Sequence, residues 1–442
     1  ENKAEGFTTE HLFLNQKIEI NTSYSPFEVL KKIKEIEQKM GRIYSQPKEN
    51  EIYVDRLIDI DILFYNKLLI NCNYLKIPMN TTAPTFSKQD NLKFFRTLNS
   101  RVNSYFKENN IQKTGNWKLH LKTIILFTVF LAPYFIILTL DLPFWAYLLL
   151  TIVIGIGMAG VGMNVMHDGN HGSYSTKSWV NKFMGGSIYI LAGNVYNWQV
   201  QHNVLHHTYT NIPGHDEDLD AGRIIRFTKE AKWQKFHRFQ HYYSIFLYGL
   251  LTFNWAITTD FKQMKSYLKR KLSYGEPKSP KILWTTLIIT KMIYVSIWIV
   301  LPIVIGITWW KVLIGFFVMH YTAGLILSVV FQLAHVVEET TNPLPNENGE
   351  IENTWAIHQL FTTTNFAPKN AIVNWYTGGL NHQIEHHIFP NISHIHYEKI
   401  AKIVKETAQE CNLPYYEYKT MRSAVIAHFK HLKELGMKPE LA

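Results

Sequence analysis

The sequence predicts a mainly α-helical integral membrane protein, in which a bundle of four transmembrane helices carries a helical cap on its cytoplasmic side. Four apolar segments predict the bundle, because each has about the 20 residues that a helix needs to cross a bilayer. Three histidine clusters near the ends of these segments predict the cap. Residues 1–78, which are polar and nearly neutral, precede the bundle and predict a separate segment.

The four apolar segments form two hairpins and span residues 123–140, 143–166, 282–308 and 312–335. Their short connections carry Lys311 as the one basic residue, whereas the opposite side carries several lysines and a basic run at 262–271. By the positive-inside rule, both termini and the long central loop face the cytoplasm. Lys291 lies inside the third segment, and we expect it to face the bundle interior or to reach the membrane surface.

Two further stretches, 184–201 and 242–258, are apolar but short, and Asn254 interrupts the second. We expect both to be helices that lie in the membrane interface. The third histidine cluster can share a site with the first two only if an even number of crossings separates them. The two segments within 282–335 already meet that condition, so 242–258 is not needed as a span.

Charge and cysteine content narrow the class of protein. The net charge is +10, and all of the excess lies after residue 78. Basic residues beside apolar segments fit anionic lipid headgroups, and no nucleic-acid motif accompanies them. Cys72 and Cys411 are the only cysteines, so the sequence indicates neither a disulfide framework nor a thiolate metal site.

The three histidine clusters indicate a metal site. They read His167-Asp-Gly-Asn-His171, His202-Asn-Val-Leu-His206-His207 and Gln383-Ile-Glu-His386-His387. Histidines at positions i and i+4 lie on one face of an α-helix, so three such helices could surround one or two metal ions. Neutral imidazole binds zinc, iron, copper and nickel, and ligand type alone therefore does not name the metal.

Residues from about 80 to 440 resemble the membrane-bound fatty acid desaturases, which carry HxxxH, HxxxHH and QxxHH boxes. The surroundings of the third box, 378–390, and the segment 331–339 resemble the front-end branch, which desaturates between an existing double bond and the carboxyl end. The resemblance implies an O2-dependent oxidoreductase that inserts a double bond into an acyl-CoA or acyl-lipid chain through a di-iron centre.

The resemblance also implies site residues. The iron ligands would be His167, His171, His202, His206, His207, His335, His386 and His387. Gln383 would act in catalysis, through its carbonyl oxygen or through water, with His382 beside it as a weaker candidate. His320 lies about 20 Å from His335 along the same helix and is expected to be a packed or substrate-tunnel residue. Acidic residues that could orient the imidazoles are Asp168, Asp216, Asp218 and Glu385.

The cofactors that follow from this resemblance are two iron ions and O2. Many front-end enzymes carry a haem domain with a His-Pro-Gly-Gly motif, which this sequence lacks. We therefore expect a separate ferredoxin or cytochrome as electron donor, which fits a bacterial enzyme of the inner membrane. The expected partners are a fatty acyl substrate and the lipid bilayer, with no nucleic acid.

Residues 1–78 resemble the middle and later part of hydroxymethyl-dihydropterin pyrophosphokinase, and the motifs that carry this are 13–16, 25–26, 36–42 and 56–64. The resemblance implies a small α/β segment of ferredoxin-like type. Asp59 and Asp61 would hold Mg²⁺ between ATP phosphates, and Asn15 and Arg56 would contact substrate. The Gly-Ser-Asn substrate loop of that family is missing, so we expect a fragment without transferase activity. Mg²⁺ and ATP would be cofactors of this protein only if the fragment were active.

Three alternatives remain open at this point. A membrane di-iron hydroxylase or ketolase would share the histidine boxes, although Gln383 and its surroundings favour desaturation. A membrane metal carrier would also need histidine clusters, but carriers usually place their ligands midway through the bilayer. A bifunctional or membrane-anchored pterin pyrophosphokinase is the third.

Overall fold

The computed structural model describes residues 83–88, 92–219, 222–275 and 278–438. In these ranges the chain is almost wholly helical, which confirms the mainly α class. The helices in chain order are α1 (Phe94–Glu108), α2 (Trp117–Thr139), α3 (Phe144–His171), α4 (Ser178–Gly185), α5 (195–209), α6 (Gln240–Tyr248), α7 (251–269), α8 (Pro280–Ile305), α9 (Trp309–His335), α10 (Trp355–Thr362), α11 (Ala371–Tyr376), α12 (Gln383–Ile388), α13 (Tyr397–Glu410) and α14 (Met421–Gly436). The α/β segment expected at 1–78 lies outside the described residues.

Two short parallel strand pairs link distant parts of this chain. Strand β1 (Thr85–Phe86) pairs with β2 (Glu350–Ile351), and β3 (Asn365–Phe366) pairs with β4 (Glu417–Tyr418). Each pair contributes only two residues per strand, so the strands join loops and do not form a layer of their own.

Four helices, α2, α3, α8 and α9, are long and apolar enough to cross a membrane, as the sequence predicts. Local capping sets their starts: the Asn116 side chain accepts from the Lys118 backbone N–H at 3.0 Å, and Ser279 caps α8 ahead of Pro280. Helix α3 continues without interruption to His171. The first histidine cluster is therefore the end of a membrane-spanning helix, and not a separate element after it.

Small residues allow α3 to pack closely against two other spans. A Cβ added at Gly157 would lie 2.5 Å from Phe130 Cα in α2, and one at Gly155 would lie 2.6 Å from the Met319 carbonyl oxygen in α9. Helices in lipid associate through such close van der Waals packing, because the surrounding acyl chains are as apolar as the side chains. Helices α2, α3 and α9 thus form a tight unit.

The two stretches expected to be single interfacial helices are broken in the structure. Residues 184–201 include a short 3₁₀ helix, Gly186–Leu191, that ends where Ala192 adopts a left-handed conformation with φ 69°. The Gly193 N–H bonds back to the Ile188 carbonyl at 2.9 Å, a common way to terminate a helix. The prediction of one helix over 184–201 is therefore wrong, and 242–258 is likewise divided between α6 and α7.

A group of buried apolar side chains packs around the helix that carries the third histidine cluster. It joins side chains of α1, α10, α12 and α13, and Ile384 and Ile388 of α12 lie in it. Helix α12 has only six residues and would not be stable alone in water. This burial keeps His386 and His387 in place.

Candidate metal centre

Helix α5 contains a π-helical segment, Gln199–His206, that covers most of the second histidine cluster. In an α-helix, residue i+5 points about 140° away from residue i. In a π-helix the N–H groups bond to the carbonyl five residues back, so residue i+5 lies much closer to residue i around the axis. The π-helix consequently brings His207 to the same side as His202.

The first histidine group brings together all three clusters. Ring nitrogens of His167, His171, His202 and His386 all lie within 4.8 Å of one another. His207 Nε2 lies 3.0 Å from His386 Nε2 and 3.3 Å from His202 Nε2, so its imidazole reaches the same space.

The second histidine group consists of His206, His335 and His387, whose ring nitrogens also lie within 4.8 Å of one another. His206 and His202 are four residues apart, and ligand atoms of both lie within 4.8 Å of each other and of Asp218; among the all-histidine groups, however, His202 belongs to the first and His206 to the second. His167 and His171, on regular α-helix, both belong to the first group. All eight histidines that the sequence singles out thus lie in or beside these two groups.

Hydrogen bonds at the outer nitrogens orient these imidazoles. His387 Nδ1 donates to Gln359 Oε1 at 3.0 Å, and His206 Nδ1 donates to Asp216 Oδ2 at 3.0 Å. His335 Nδ1 contacts the Thr362 carbonyl at 3.3 Å. With Nδ1 engaged in this way, each imidazole presents Nε2 to the centre of its group, as metal-binding histidines usually do.

Several buried ring nitrogens of the two groups lack hydrogen-bond partners within the described part of the chain. They are Nε2 of His171, His206, His335 and His387 and both ring nitrogens of His167. Buried polar atoms are rarely left unpaired, because losing water without a replacement costs about 1–3 kcal/mol per group. A metal ion would satisfy these atoms, so the residues present fit metal binding.

Burial lowers the pKa of His202, His207, His386 and His387 well below the usual value, and neighbouring imidazoles lower it further. These rings are therefore neutral near pH 7, which is the form that binds metals. Burial also opposes the charged form of His206, but the nearby carboxylate of Asp216 outweighs it and raises the pKa of His206.

The four acidic residues expected to orient imidazoles differ in which side chains they contact. Asp216 is the one that bonds a predicted ligand, His206. Asp218 Oδ2 lies 3.7 Å from His206 Nδ1 and 3.9 Å from His202 Nδ1, and burial raises the pKa of Asp218 to about 7. Asp218 is thus partly protonated near neutrality.

The other two acids face different partners. Asp168 Oδ2 lies 3.0 Å from His394 Nδ1, and Asp168 Oδ1 lies 4.0 Å from His167 Nδ1. Glu385 accepts hydrogen bonds from Asn365 and Tyr415. Neither acid therefore orients a predicted ligand through a direct hydrogen bond.

Gln383 is 3% exposed, and its Oε1 has no hydrogen-bond partner among the described residues. The side chain lines a cavity that also borders His167 and His202. His382 is buried beside it but belongs to neither histidine group. His320 lies away from both groups, where its ring bonds Tyr294 and Thr252.

The cavity has a volume of about 220 Å³ and runs from the first histidine group into the bundle. Its polar end includes Gln201 and Asp218, and its remaining wall is mostly apolar, with Met158, Leu251 and Phe331. An apolar slot that opens onto buried histidines suits a long hydrocarbon chain.

Several residues at this centre could not be found from sequence patterns. Gln359 and Thr362 hold His387 and His335 from α10, and His394 contacts Asp168. Trp198 packs its ring 4.4 Å from that of His202, centroid to centroid. Only Trp198 carries a sequence signal, as an aromatic residue one turn before the second cluster. The predicted N-terminal positions Asn15, Arg56, Asp59 and Asp61 lie outside the described residues.

Comparisons with known proteins agree with this geometry. A family model described as "Fatty acid desaturase" matches residues 142–419, and one described as "7,8-dihydro-6-hydroxymethylpterin-pyrophosphokinase (HPPK)" matches residues 2–86. The chain is 39% identical to the sn-1 linoleoyl-lipid 6-desaturase of Arthrospira platensis, over 81% of this chain and 96% of that protein.

Two further relatives are similar over most of their length. The sn-1 linoleoyl-lipid 6-desaturase of Synechocystis sp. is 35% identical over 78% of this chain and 95% of that protein. The acyl-lipid (8-3)-desaturase of Physcomitrium patens is 32% identical over 80% of this chain and 73% of that protein. The residues matched by the desaturase model, 142–419, include both histidine groups.

Proposed function

The chain belongs to the fatty acid desaturase family and is an oxidoreductase of fatty acyl chains, and we propose that it is a front-end desaturase of acyl lipids that uses two iron ions. The observation that carries this proposal is the pair of buried histidine groups, in which several ring nitrogens lack hydrogen-bond partners within the described chain. Acyl lipid is favoured over acyl-CoA because the relatives are named as lipid desaturases.

Iron bound by these histidines would activate O2 to remove hydrogen from an unactivated carbon chain, which side-chain acids and bases cannot do. In the net reaction, one O2, two electrons and two protons are consumed, two hydrogens leave adjacent carbons, and a double bond and two waters form. We propose that His167, His171, His202, His207 and His386 hold one iron and that His206, His335 and His387 hold the other.

The remaining residues position the substrate and exclude water. The apolar cavity holds the acyl chain in a fixed orientation, and proximity of this kind supplies much of the rate. Gln383 lies where the cavity meets the histidines, and its carbonyl oxygen, which has no partner among the described residues, would contact iron directly or through water.

We further propose that the histidine groups lie at the cytoplasmic surface of a bacterial inner membrane. The basic residues near the starts of α2 and α8 favour this orientation. A separate ferredoxin or cytochrome would then deliver electrons from the cytoplasm. Residues 79–442 would form the desaturase domain, and residues 1–78 a pyrophosphokinase-like fragment.

Expression of the full chain in a host with a defined lipid pool, followed by mass spectrometry of its fatty acids, tests this proposal. We expect a new double bond on the carboxyl side of an existing one. His387→Ala should remove it, whereas His431→Ala, which lies outside both groups, should not. Hydroxylated fatty acids, or no new product from the unaltered chain, would contradict the proposal.

A further inference from the structure

Lys291 is a buried cation inside the membrane-spanning helix α8. It is 8% exposed, and its Nζ lies 2.8 Å from Asp260 Oδ2. The same ammonium group donates to the carbonyl oxygens of Ala192 at 2.5 Å and Trp255 at 3.0 Å. A charged residue within a span is costly and is usually kept for function. The histidine centre does not use Lys291, so its role lies elsewhere.

The two carbonyl groups belong to two different walls of the cavity. Ala192 ends the 3₁₀ helix Gly186–Leu191, which lines the cavity through Ile188 and Leu191. Trp255 belongs to helix α7, and its own side chain lines the cavity. Because one ammonium group bonds both backbones, Lys291 links these walls at a fixed separation.

Ala192 supports this interpretation through its backbone conformation. Its φ of 69° is left-handed, which a residue with a Cβ adopts only where the surrounding structure holds it there. The hydrogen bond from Lys291 is one contact that holds this conformation.

Asp260, the counter-ion of Lys291, connects the two cavity walls to the second histidine cluster. Asp260 is fully buried and accepts from Asn197 Nδ2 at 3.0 Å, while its backbone carbonyl accepts from the same amide at 2.8 Å. Asn197 lies in α5, about one turn before His202. Through Asp260, both cavity walls are therefore connected to helix α5, which carries three of the histidines.

One end of the α7 wall is anchored independently. The Thr252 hydroxyl donates to the His320 carbonyl oxygen at 2.8 Å and accepts from His320 Nδ1 at 3.0 Å. Tyr294 completes this network by donating to His320 Nε2 at 2.8 Å. With Thr252 fixed to α9, a loss of the Lys291 contacts would free mainly the Trp255 end of the wall.

We propose that Lys291 and Asp260 are a positioning pair that sets the separation of the two cavity walls and thereby selects which carbon of the acyl chain faces the histidine groups. This inference rests on the proposed function, in which the cavity holds the acyl chain. A wall displacement of about one bond length would present a neighbouring carbon, and small misplacements of a substrate have large effects on rate.

The test compares double-bond positions in products of the full chain and of Lys291→Met/Asp260→Asn. This double substitution removes both charges while keeping similar side-chain volumes, so that neither charge is left buried without a partner. One methylene in an apolar pocket typically changes discrimination by about 10–200-fold. We expect the ratio of the neighbouring positional isomer to the main product to rise at least about tenfold, with iron content unchanged.

The matched control is Thr290→Val, one residue away on α8, where the hydroxyl bonds to its own helix. It should give the unaltered isomer ratio. An unchanged ratio in folded, iron-loaded Lys291→Met/Asp260→Asn overturns the inference.

If the double variant does not fold, Lys291→Arg decides the question. It keeps the positive charge beside Asp260, but its rigid planar fork of donors changes the geometry of the two carbonyl contacts that the ammonium makes. A shifted isomer ratio supports the inference, and an unchanged one overturns it. Absence of any new double bond in the unaltered chain is a failure of the proposed function instead, and it is seen before any variant is compared.

Discussion

His207 lies closer to His386, far away in the chain, than to the adjacent His206. The ring centroids of His207 and His386 are 4.6 Å apart, whereas those of His206 and His207 are 5.7 Å apart. The adjacent histidines therefore face different directions, and one short π-helix supplies both groups. An adjacent His-His pair in this setting connects the two histidine groups.

Gln383→Ala should abolish the new double bond while the protein stays folded. The buried Oε1 lies at the junction of the cavity and the histidines, and alanine cannot replace a contact to iron or to an ordered water. Gln383→His should keep partial activity, because an imidazole nitrogen can occupy a similar position. Fatty acid profiles of both variants check this.

The control for Gln383 is Gln409→Ala on the exposed side of α13, which should leave the products unchanged. Normal turnover by Gln383→Ala would show that this side chain has no part in catalysis.

Asp216→Asn should weaken metal binding by the second histidine group. The carboxylate accepts from His206 Nδ1 at 3.0 Å, which fixes the tautomer that presents Nε2. Loss of such an outer contact typically lowers metal affinity by about 10–100-fold. Titration of the metal-free protein with iron, beside Asp141→Asn as a control on the short connection between α2 and α3, measures the effect. Equal affinities would contradict it.

Much of the fold and of this centre follows from local sequence patterns. The four spans are predicted by apolar length, seven of the eight histidines by three short motifs, and His335 by the resemblance of the segment around it. The division into two groups could not be predicted, because Gln199–His206 has no residue pattern that distinguishes a π-helix from an α-helix. Contacts such as His387 with Gln359 depend on how distant helices pack, which periodicity does not specify.

Gly378→Ala should destabilise the protein more than Gly275→Ala. Both glycines have positive φ, 64° and 74°, so a Cβ costs about 1–2 kcal/mol of backbone strain at either position. At Gly378 the Cβ would also lie 2.4 Å from the Met163 carbonyl oxygen, whereas at Gly275 nothing lies within 4 Å.

The midpoint of thermal unfolding in detergent compares the two glycine variants. Gly378 joins the third histidine cluster to the span that carries the first, so its variant should also lose iron. Equal midpoints and iron contents would refute the close approach as the reason for this glycine.

Deletion of residues 1–78 should leave desaturation intact. The full chain should transfer no pyrophosphate from ATP to hydroxymethyl-dihydropterin, because Asp59 and Asp61 need the rest of a phosphate-binding site to act. Coupled assays of both reactions check this. Transfer that disappears with Asp61→Ala would instead make the protein bifunctional.

The iron content of the purified full chain tests the central claim most directly. Two histidine groups predict about two irons per chain by elemental analysis, and at least one should be lost, together with desaturation, in His206→Ala or in His387→Ala. The loss follows because, among the described residues, neither group contains a cysteine that could replace the missing imidazole. Zinc in place of iron, or full iron and full activity in both variants, would contradict the claim.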